Sequence, residues 1–448
     1  MDRPVTVGVL SLHSSKETKA ILNTVNELGH EGVWLREENL VVDIEANSVT
    51  IEPNVDVIVN RLLLSKTEQP SELLGLAKSL GRLRPMLNRP ENVLTAFHKF
   101  ATATAMAETD VRIPDALLAL DPDRLNAERE KFGEEAVYKT AIGTHGGGTW
   151  KIGPGETVNP RVGDRFAFLQ ELIEQNEDHR HSDLRIYIVD DEIVAAMNRY
   201  APENDWRTNV ALGGDVEGVT DVPDEAAEMA LAASDALGLD YAGVDLVQGV
   251  DGWYLLEVNP TAGFKGLFKA TGVSPAPHIA KLAIETGGGE VDEEAVERLT
   301  GILDDSMPKD VPHRTTRDSD AQRKSIGYTE EVLVSGTSGT ERIVSKSDTG
   351  ASRTSIDTRL AAKIGAGPIK SMTKVKSGSV KSGKARPVVD IVVGIGGDRH
   401  TVAASLEDRS HMEYPLLLGR DILQDYSVDV RRRADAEDDD AETTDEEE

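Results

Sequence analysis

Several residues in the first 260 positions have the chemistry that handles a polyphosphate. Lys99 and Lys139 are cations on a segment of helical spacing and a segment of strand pattern, and Asp245, Glu257 and Asn259 are hard oxygen donors. Between them runs Gly143-Thr-His-Gly-Gly-Gly148, where Gly146 and Gly147 allow a backbone to approach a ligand closely. Phosphoryl transfer needs these three things: cations on the phosphates, oxygen ligands for Mg2+ and close N–H groups. Glu257 and Asn259 are two residues apart, which puts them on one face of a strand. Singly each feature is bland, since a Gly-rich run is most often a turn and an isolated Asp on a strand is most often surface. Their order and spacing carry the weight.

The elements that must position them follow from pattern. Val5–Leu10 reads as a buried strand, Ser15–Leu28 as a helix, and Gly32–Leu35 and Val55–Asn60 as strands, an order that suggests a small open α/β domain. Ser71–Leu80 is helical, and Asn92–Thr109 reads as one long helix carrying Lys99. Val137–Thr140 is a strand running into the Gly-rich segment, and Arg165–Glu174 reads as helix and strand. Asp183–Val189 pairs with Ile193–Asn198. Pro223–Leu237 is a helix, Tyr241–Val247 and Trp253–Val258 are strands, and Pro275–Thr286 is a closing helix. Residues 287–323 are polar and read as a linker with one short helical stretch. From Ser325 the texture becomes short alternating strands, an all-β pattern, and the acidic run that ends the sequence reads as disordered.

With 448 residues the chain has room for two to four domains. Its 79 acidic against 49 basic residues give a net charge of -30, which argues against nucleic acid or an anionic membrane as partner. The dispersed acidity fits a salt-loaded cytoplasm and a halophilic source. Cysteine is absent, so disulfides, thiolate metal sites and Cys nucleophiles are excluded. The first apolar run is too short for a signal peptide or a membrane helix, and a cytoplasmic protein is expected.

The strings Asn88-Arg-Pro-Glu-Asn, Tyr138-Lys139-Thr140 with its Gly loop, Ser182-Asp-Leu-Arg185, Val194-Ala-Ala-Met-Asn-Arg199, Asp205-Trp-Arg-Thr-Asn209, Ala242-Gly-Val-Asp245 and Leu256-Glu-Val-Asn259 together resemble the RimK-type branch of the ATP-grasp superfamily. The resemblance covers about residues 85–286. It implies an α/β ATP-grasp fold, with a pre-ATP-grasp domain over 1–90 and an ATP-grasp domain over 91–286. It also implies ATP and Mg2+ (or Mn2+) as cofactors. Lys99 and Lys139 would bind nucleotide, Glu171 and Leu172 would meet adenine at a hinge, and Asp183 would hold ribose. Arg185, Arg207 and Asn209 would face the phosphates and an acyl-phosphate, with Arg207 catalytic, and Asp245, Glu257 and Asn259 would hold the metal. Two departures stand out: His98 where family members often have Asp, and a longer segment over 176–182.

Further on, Ser347-Asp348-Thr349-Gly350-Ala351-Ser352 carries the D-T-G-A string of aspartic proteases, and Tyr414-Pro-Leu-Leu-Leu-Gly419-Arg-Asp-Ile-Leu423 resembles a later segment of retropepsins. With Arg386-Pro-Val-Val389 and Asp408-Arg-Ser-His-Met412, they resemble the small family named for ATP-dependent zinc proteases, often fused with RimK-type ligases. This implies a mainly-β retropepsin-like domain over 324–433, followed by a disordered tail over 434–448. Asp348 would activate water beside a second Asp sharing one proton. One D-T-G requires two chains, hence a homodimer, with Thr349 locking the loop and Gly378–Gly383 as flap. No zinc is expected, because His400 and His411 are the domain's only imidazoles. Ser352 stands as an insertion in the family's run. Three decoys drop out. Gly378–Lys384 lacks the Ser or Thr of a phosphate loop, His145–Gly148 has no nucleophile elbow, and His179 with His181 has no further metal ligand.

Two readings follow. In one, a ligase adds an amino acid, glutamate, to a carboxyl terminus of a protein or cofactor, and the second domain processes the product. In the other, that domain is a dimerisation or peptide-binding module. A third idea makes the terminal Glu446-Glu447-Glu448 an acceptor, against the simpler reading of a solvated tail.

Overall fold

Strand β1 (Thr6–Leu10) is buried from Val7 to Leu10 without a polar side chain, the pattern of a parallel strand covered on both faces. Ser15 caps helix α1 (Lys16–Glu27) by accepting from the Thr18 amide at 3.0 Å, and the chain returns as β2 (Glu31–Leu35). A hairpin of β3 (Val41–Glu45) and β4 (Ser48–Glu52) follows, turning at Ala46 and Asn47 with φ of 48° and 65°. Then come β5 (Val57–Asn60), α2 (Pro70–Leu80) and β6 (Met86–Leu87), giving a parallel sheet of order β2-β1-β5-β6. The computed structural model describes residues 3–67, 70–143, 148–163, 165–175, 180–202, 206–208, 215–309, 324–375 and 384–435. They fall in two units, residues 1–315 and 316–448.

The long helix expected over Asn92–Thr109 is two helices, α3 (Pro90–Phe97) and α4 (Lys99–Met106). The break has a cause: the Lys99 amide donates to the Ala141 carbonyl at 2.8 Å, and His98 bridges to Ile142. That interaction comes from a distant strand and leaves no mark on helical periodicity.

An antiparallel sheet is next. It contains β7 (Ala116–Leu117), then, after helix α5 (Pro122–Ala127), β8 (Ala136–Thr140), β9 (Thr149–Ile152), β10 (Arg161–Val162) and β11 (Arg165–Glu171). The helix expected within Arg165–Glu174 is absent: β11 pairs with β8 from Ala167 to Glu171, and irregular backbone follows. Strands β12 (Ser182–Val189), β13 (Glu192–Tyr200) and β14 (Asp215–Val219), helix α6 (Asp224–Ala236), and strands β15 (Tyr241–Gly249) and β16 (Gly252–Asn259) build a second antiparallel sheet, order β14-β13-β12-β15-β16. One face carries Leu184, Ile186, Ala242 and Val244 against α6. The other is divided along its length: Tyr187, Met197 and Tyr241 join the core of the first sheet, while Asp183, Arg185 and Asp245 lie further along the same face.

Helices α7 (Lys265–Thr271), α8 (Ala276–Thr286) and α9 (Glu293–Thr300) complete the unit. The linker expected at 287–323 therefore starts later. Ala295, Val296 and Leu299 are buried on α9, the Ser274 amide donates to the Thr300 carbonyl at 2.8 Å, and Asn23 donates to the carbonyls of Asp304 and Ser306. The spacing of those three apolar residues was present in a segment whose overall polarity reads as linker.

The second unit is mainly β: β17 (Ser325–Gly327), β18 (Thr329–Ser335), β19 (Thr340–Ser347), β20 (Ser355–Asp357), helix α10 (Thr358–Ile364), β21 (Ile369–Val375), β22 (Lys384–Ile395), β23 (Asp398–Glu407), β24 (Leu416–Leu418), helix α11 (Arg420–Leu423) and β25 (Ser427–Asp429). The order β18-β19-β24-β20-β23-β22, closed by β22 against β18, makes a six-strand barrel with β21 as an outer strand. Among the described residues no helix is long and apolar enough to cross a membrane.

Candidate active site

Cross-strand register assembles the first site. Arg185 on β12 faces Asp245 on β15, which faces Glu257 on β16, so three residues far apart in sequence form one row across three strands. Asp183, two positions before Arg185, faces Arg199 on β13. Arg185 forks onto Asp245 with Nε and Nη2 at 2.6 Å each. Arg199 forks onto Asp183 at 2.5 and 2.7 Å and reaches Asp245 at 2.7 Å. Asp245 is 2 % exposed and Arg199 6 %. Burial opposes the charge on Arg199, but Asp245 and Asp183 outweigh it and raise its pKa, so the guanidinium is charged.

Lys99 opens α4 and pairs with Glu257. Burial alone would raise the Glu257 carboxyl, but Lys99, with Arg185 and Arg199, holds it well below the usual carboxylate range. Lys139 on β8 has its ammonium pushed down to about 8, first by burial and then by Lys99. Asn259 accepts from the Thr261 amide at 3.1 Å, which fixes the turn leaving β16. Gly243, opposite Asn259, makes room for that turn: a Cβ there would lie 2.6 Å from the Ala262 Cβ.

The remaining predicted residues line the same cleft. Glu171 is the last paired residue of β11, and Leu172 lies just past the ladder. Arg207 also lines it, in the segment Trp206-Arg207-Thr208. That segment is held at both flanks: Thr208 donates its hydroxyl to Asp183, and Lys151 lies 5.7 Å from the Trp206 ring centre. Lys99, Lys139, Glu171, Leu172, Asp183, Arg185, Arg207, Asp245, Glu257 and Asn259 thus share one cleft. Gly146, Gly147 and Asn209 lie outside the described residues, although Gly143 and Gly148 at the ends of the Gly-rich segment both abut the Thr140 hydroxyl.

His98 explains one departure noted in the sequence. Its Nδ1 accepts from the Ala101 amide at 3.1 Å and so caps α4, a task Asp does equally well. Two residues were not singled out from sequence. Arg199 is the hub of the buried ion network, and its partners Asp183 and Asp245 are 16 and 46 positions away. Arg61 lies in the cleft wall. The alternation along β12 and β13 and the string Val194-Ala-Ala-Met-Asn-Arg199 were the sequence signals for the first, and none marks the second.

In the other unit, the two motif segments come together. β19 and β24 run parallel, pairing Ser347 with Leu418. The Asp348 amide donates to the Leu418 carbonyl at 2.9 Å, and the Arg420 amide to the Ala351 carbonyl at 2.9 Å. Asp348 Oδ1 accepts from the amides of Gly350 and Ala351 at 2.9 and 3.2 Å. The threonine that locks this loop is Thr354. Its amide and hydroxyl donate to Asp421, and its hydroxyl accepts from the Gly419 amide. Thr349 is exposed. The expected flap, 378–383, lies outside the described residues.

The model of the RimK-like ATP-grasp domain matches residues 96–283. The chain is 34% identical over 218 residues to the tetrahydromethanopterin:alpha-L-glutamate ligase of Methanocaldococcus jannaschii, covering 46% of this chain and 73% of that one. The chain belongs to the RimK-like ATP-grasp family. It is also 29% identical to the probable alpha-L-glutamate ligase 2 of Shewanella amazonensis, over 61% of this chain and 94% of that one. In fold, this RimK-like chain is similar to the ATP-grasp ligase PsnB complexed with minimal precursor, Mg and ADP, with TM-score 0.51, 17% identity, 64% of this chain and 99% of that one. The N-terminal unit is an ATP-grasp ligase. The C-terminal unit is retropepsin-like: the model of the retropepsin-like aspartic endopeptidase RimB matches residues 362–437, a stretch that contains Gly419 and Asp421 and begins after Asp348.

Proposed function

We propose that the N-terminal unit uses ATP to join an amino acid, glutamate, to the carboxyl end of a protein or cofactor. The observation that carries this reading is the charged row Arg185–Asp245–Glu257 facing Lys99 and Lys139 in one cleft. A carboxylate oxygen of the acceptor attacks the γ-phosphorus of ATP, giving an acyl-phosphate and ADP. The amine nitrogen of the amino acid then attacks the acyl carbon, phosphate leaves, and the amine gives up a proton. Lys99, Lys139 and Arg185 set positive charge around the phosphates, and Arg207 faces the transferring group. The donor set fits a hard divalent cation. Asp245, Glu257 and Asn259 offer only oxygen, Glu257 is held ionised, and Lys99 already meets it as a cation. These three residues would hold Mg2+ or Mn2+, which supplies further charge neutralisation on the phosphates. The similarity to proteins named alpha-L-glutamate ligase supports glutamate as the amino acid. The test incubates the full chain with ATP, Mg2+, an amino-acid mixture and candidate acceptors, reading ADP release and product mass. Amino-acid-dependent ADP release is expected; its absence with every acceptor sinks the reading.

For the C-terminal unit the reading is an aspartic peptidase formed by two chains, with Asp348 from each sharing a proton over the reactive water. The clasp of the Asp348 loop by Gly419–Asp421 supports it. A second reading, a binding module without catalysis, is favoured by the family match beginning after Asp348. Asp348→Asn separates them. If the unit is a peptidase, the ligase product is trimmed by the wild-type chain and persists with the variant; if it is a binding module, both give the same products.

A further inference from the structure

Arg61 follows β5 and is buried, 4 % exposed, in the wall of the ligase cleft. Its Nη2 makes two long bonds of 3.3 Å to the carbonyls of Thr261 and Ala262, while Nε and Nη1 have no hydrogen-bond partner. A guanidinium has five N–H donors, and unpaired donors inside a protein are costly enough to require an explanation. Glu17, in the first turn of α1, lines the same cleft. Its Oε1 lies 3.2 Å from where a Cβ on Gly263 would sit, so it packs on the turn that Arg61 also touches. That turn, 259–263, is the continuation of the strand that carries Glu257 and Asn259. A buried cation and an anion therefore flank one turn, directly beyond the phosphate-handling row. The twelve-residue helix α1 adds its N-terminus, where Ser15 and Ser14 also line the cleft.

We propose that Arg61 and Glu17 form the subsite for the amine substrate as a free α-amino acid. Arg61 takes its α-carboxylate and Glu17 its ammonium group. A zwitterion matches this pair in charge, and a carboxylate brings an anion to a buried guanidinium whose own hydrogen bonds go to two neutral carbonyls. A lysine side-chain amine or an amine within a peptide would leave Arg61 unmatched, so the subsite selects free amino acids. The inference rests on the ligase reading above.

The test compares L-glutamate with its α-carboxamide, L-isoglutamine, as amine substrate for the full chain. In the wild type the KM for the carboxamide should exceed that for glutamate by roughly 30-fold, the size of a lost charge-assisted hydrogen bond. Arg61→Gln should reduce that ratio to about 3-fold or less, with the KM for ATP changed by less than about 2-fold. A merely structural arginine would weaken both amines equally, and an unchanged ratio overturns the proposal while leaving the ligase reading intact. Failure of the wild type to use any amino acid overturns both. Should Arg61→Gln not fold, Glu17→Gln decides: a rise of about 10-fold in the KM for glutamate at constant KM for ATP supports the subsite, and no rise overturns it.

Discussion

The two candidate sites are held in place by opposite means. In the ligase cleft, position comes from sheet register and is fixed by buried charges: Asp183, Arg199, Asp245 and Arg185 are tied by five hydrogen bonds between ionised groups. Around Asp348, position comes from loop backbone that fits tightly and bonds through amides, one hydroxyl and one structural carboxylate, Asp421. A charged network tolerates added volume better than lost charge, because each ion depends on its partners for solvation. A close-fitting loop has the reverse sensitivity, since a single added carbon has nowhere to go.

The sharpest way to break this contrast is to remove the hub of the network. Arg199→Met should destabilise the N-terminal unit by about 3–5 kcal/mol, by leaving Asp183 and Asp245 buried without their shared partner. Scanning calorimetry of the full chain should show one transition lowered and that of the barrel unit unmoved. A shift of both transitions, or of neither, contradicts the assignment.

Gly419→Ala is the counterpart in the barrel unit. The new Cβ would lie 2.6 Å from the Thr354 amide nitrogen and 2.7 Å from the Arg353 carbonyl oxygen, and about 1–3 kcal/mol should be lost from that unit alone. Full stability in the variant would mean that the clasp on the Asp348 loop is looser than its geometry.

Lys139 sharpens the charge side of the comparison. Its folded pKa of about 8 lies below the ordinary lysine value of 10.5, so the unfolded chain takes the proton first as pH falls. Its contribution therefore decreases stability as pH drops from about 10.5 to 8 and is constant below that. Bound phosphates favour the protonated form and reverse the shift, so nucleotide binding near pH 8 should take up about half a proton. Calorimetric binding enthalpies in buffers of different ionisation enthalpy measure it, and Lys139→Met should abolish the uptake.

The smallest effect concerns His98. Burial lowers its pKa below 6.5, and its cap needs Nδ1 unprotonated, so this stability is complete above about pH 6.5 and lost as pH falls through the folded pKa. His98→Asp should equal the wild type at pH 8 and exceed it by about 0.5–1 kcal/mol at pH 5 in denaturant titrations. Parallel pH profiles would show that the ring does not cap α4.

Much of the molecule was legible without coordinates where the information is local. The apolar run of β1, the alternation that puts Glu257 and Asn259 on one face, and the change to short alternating strands after Ser325 are properties of neighbours along the chain. Period two and period 3.6 report directly on which side of an element a residue lies, so most element types followed from the sequence, while most cleft residues were named through the family resemblance. The errors have different causes: the helix split at His98 is set by Ala141 at the end of a distant strand, whereas α9 hides three apolar residues in a locally polar stretch.

What the sequence by itself determined, then, is the inventory: which side chains have the chemistry, on which kind of element, on which face. What only the tertiary structure decided is who meets whom. Arg199 between Asp183 and Asp245, Thr354 rather than Thr349 as the lock beside Asp348, and Arg61 against the turn after Asn259 depend on register between strands and contacts across loops 16 to 201 positions apart. Such pairings are settled by the packing of whole sheets, because the free energy of one polar contact is small beside that of the core that brings its partners together.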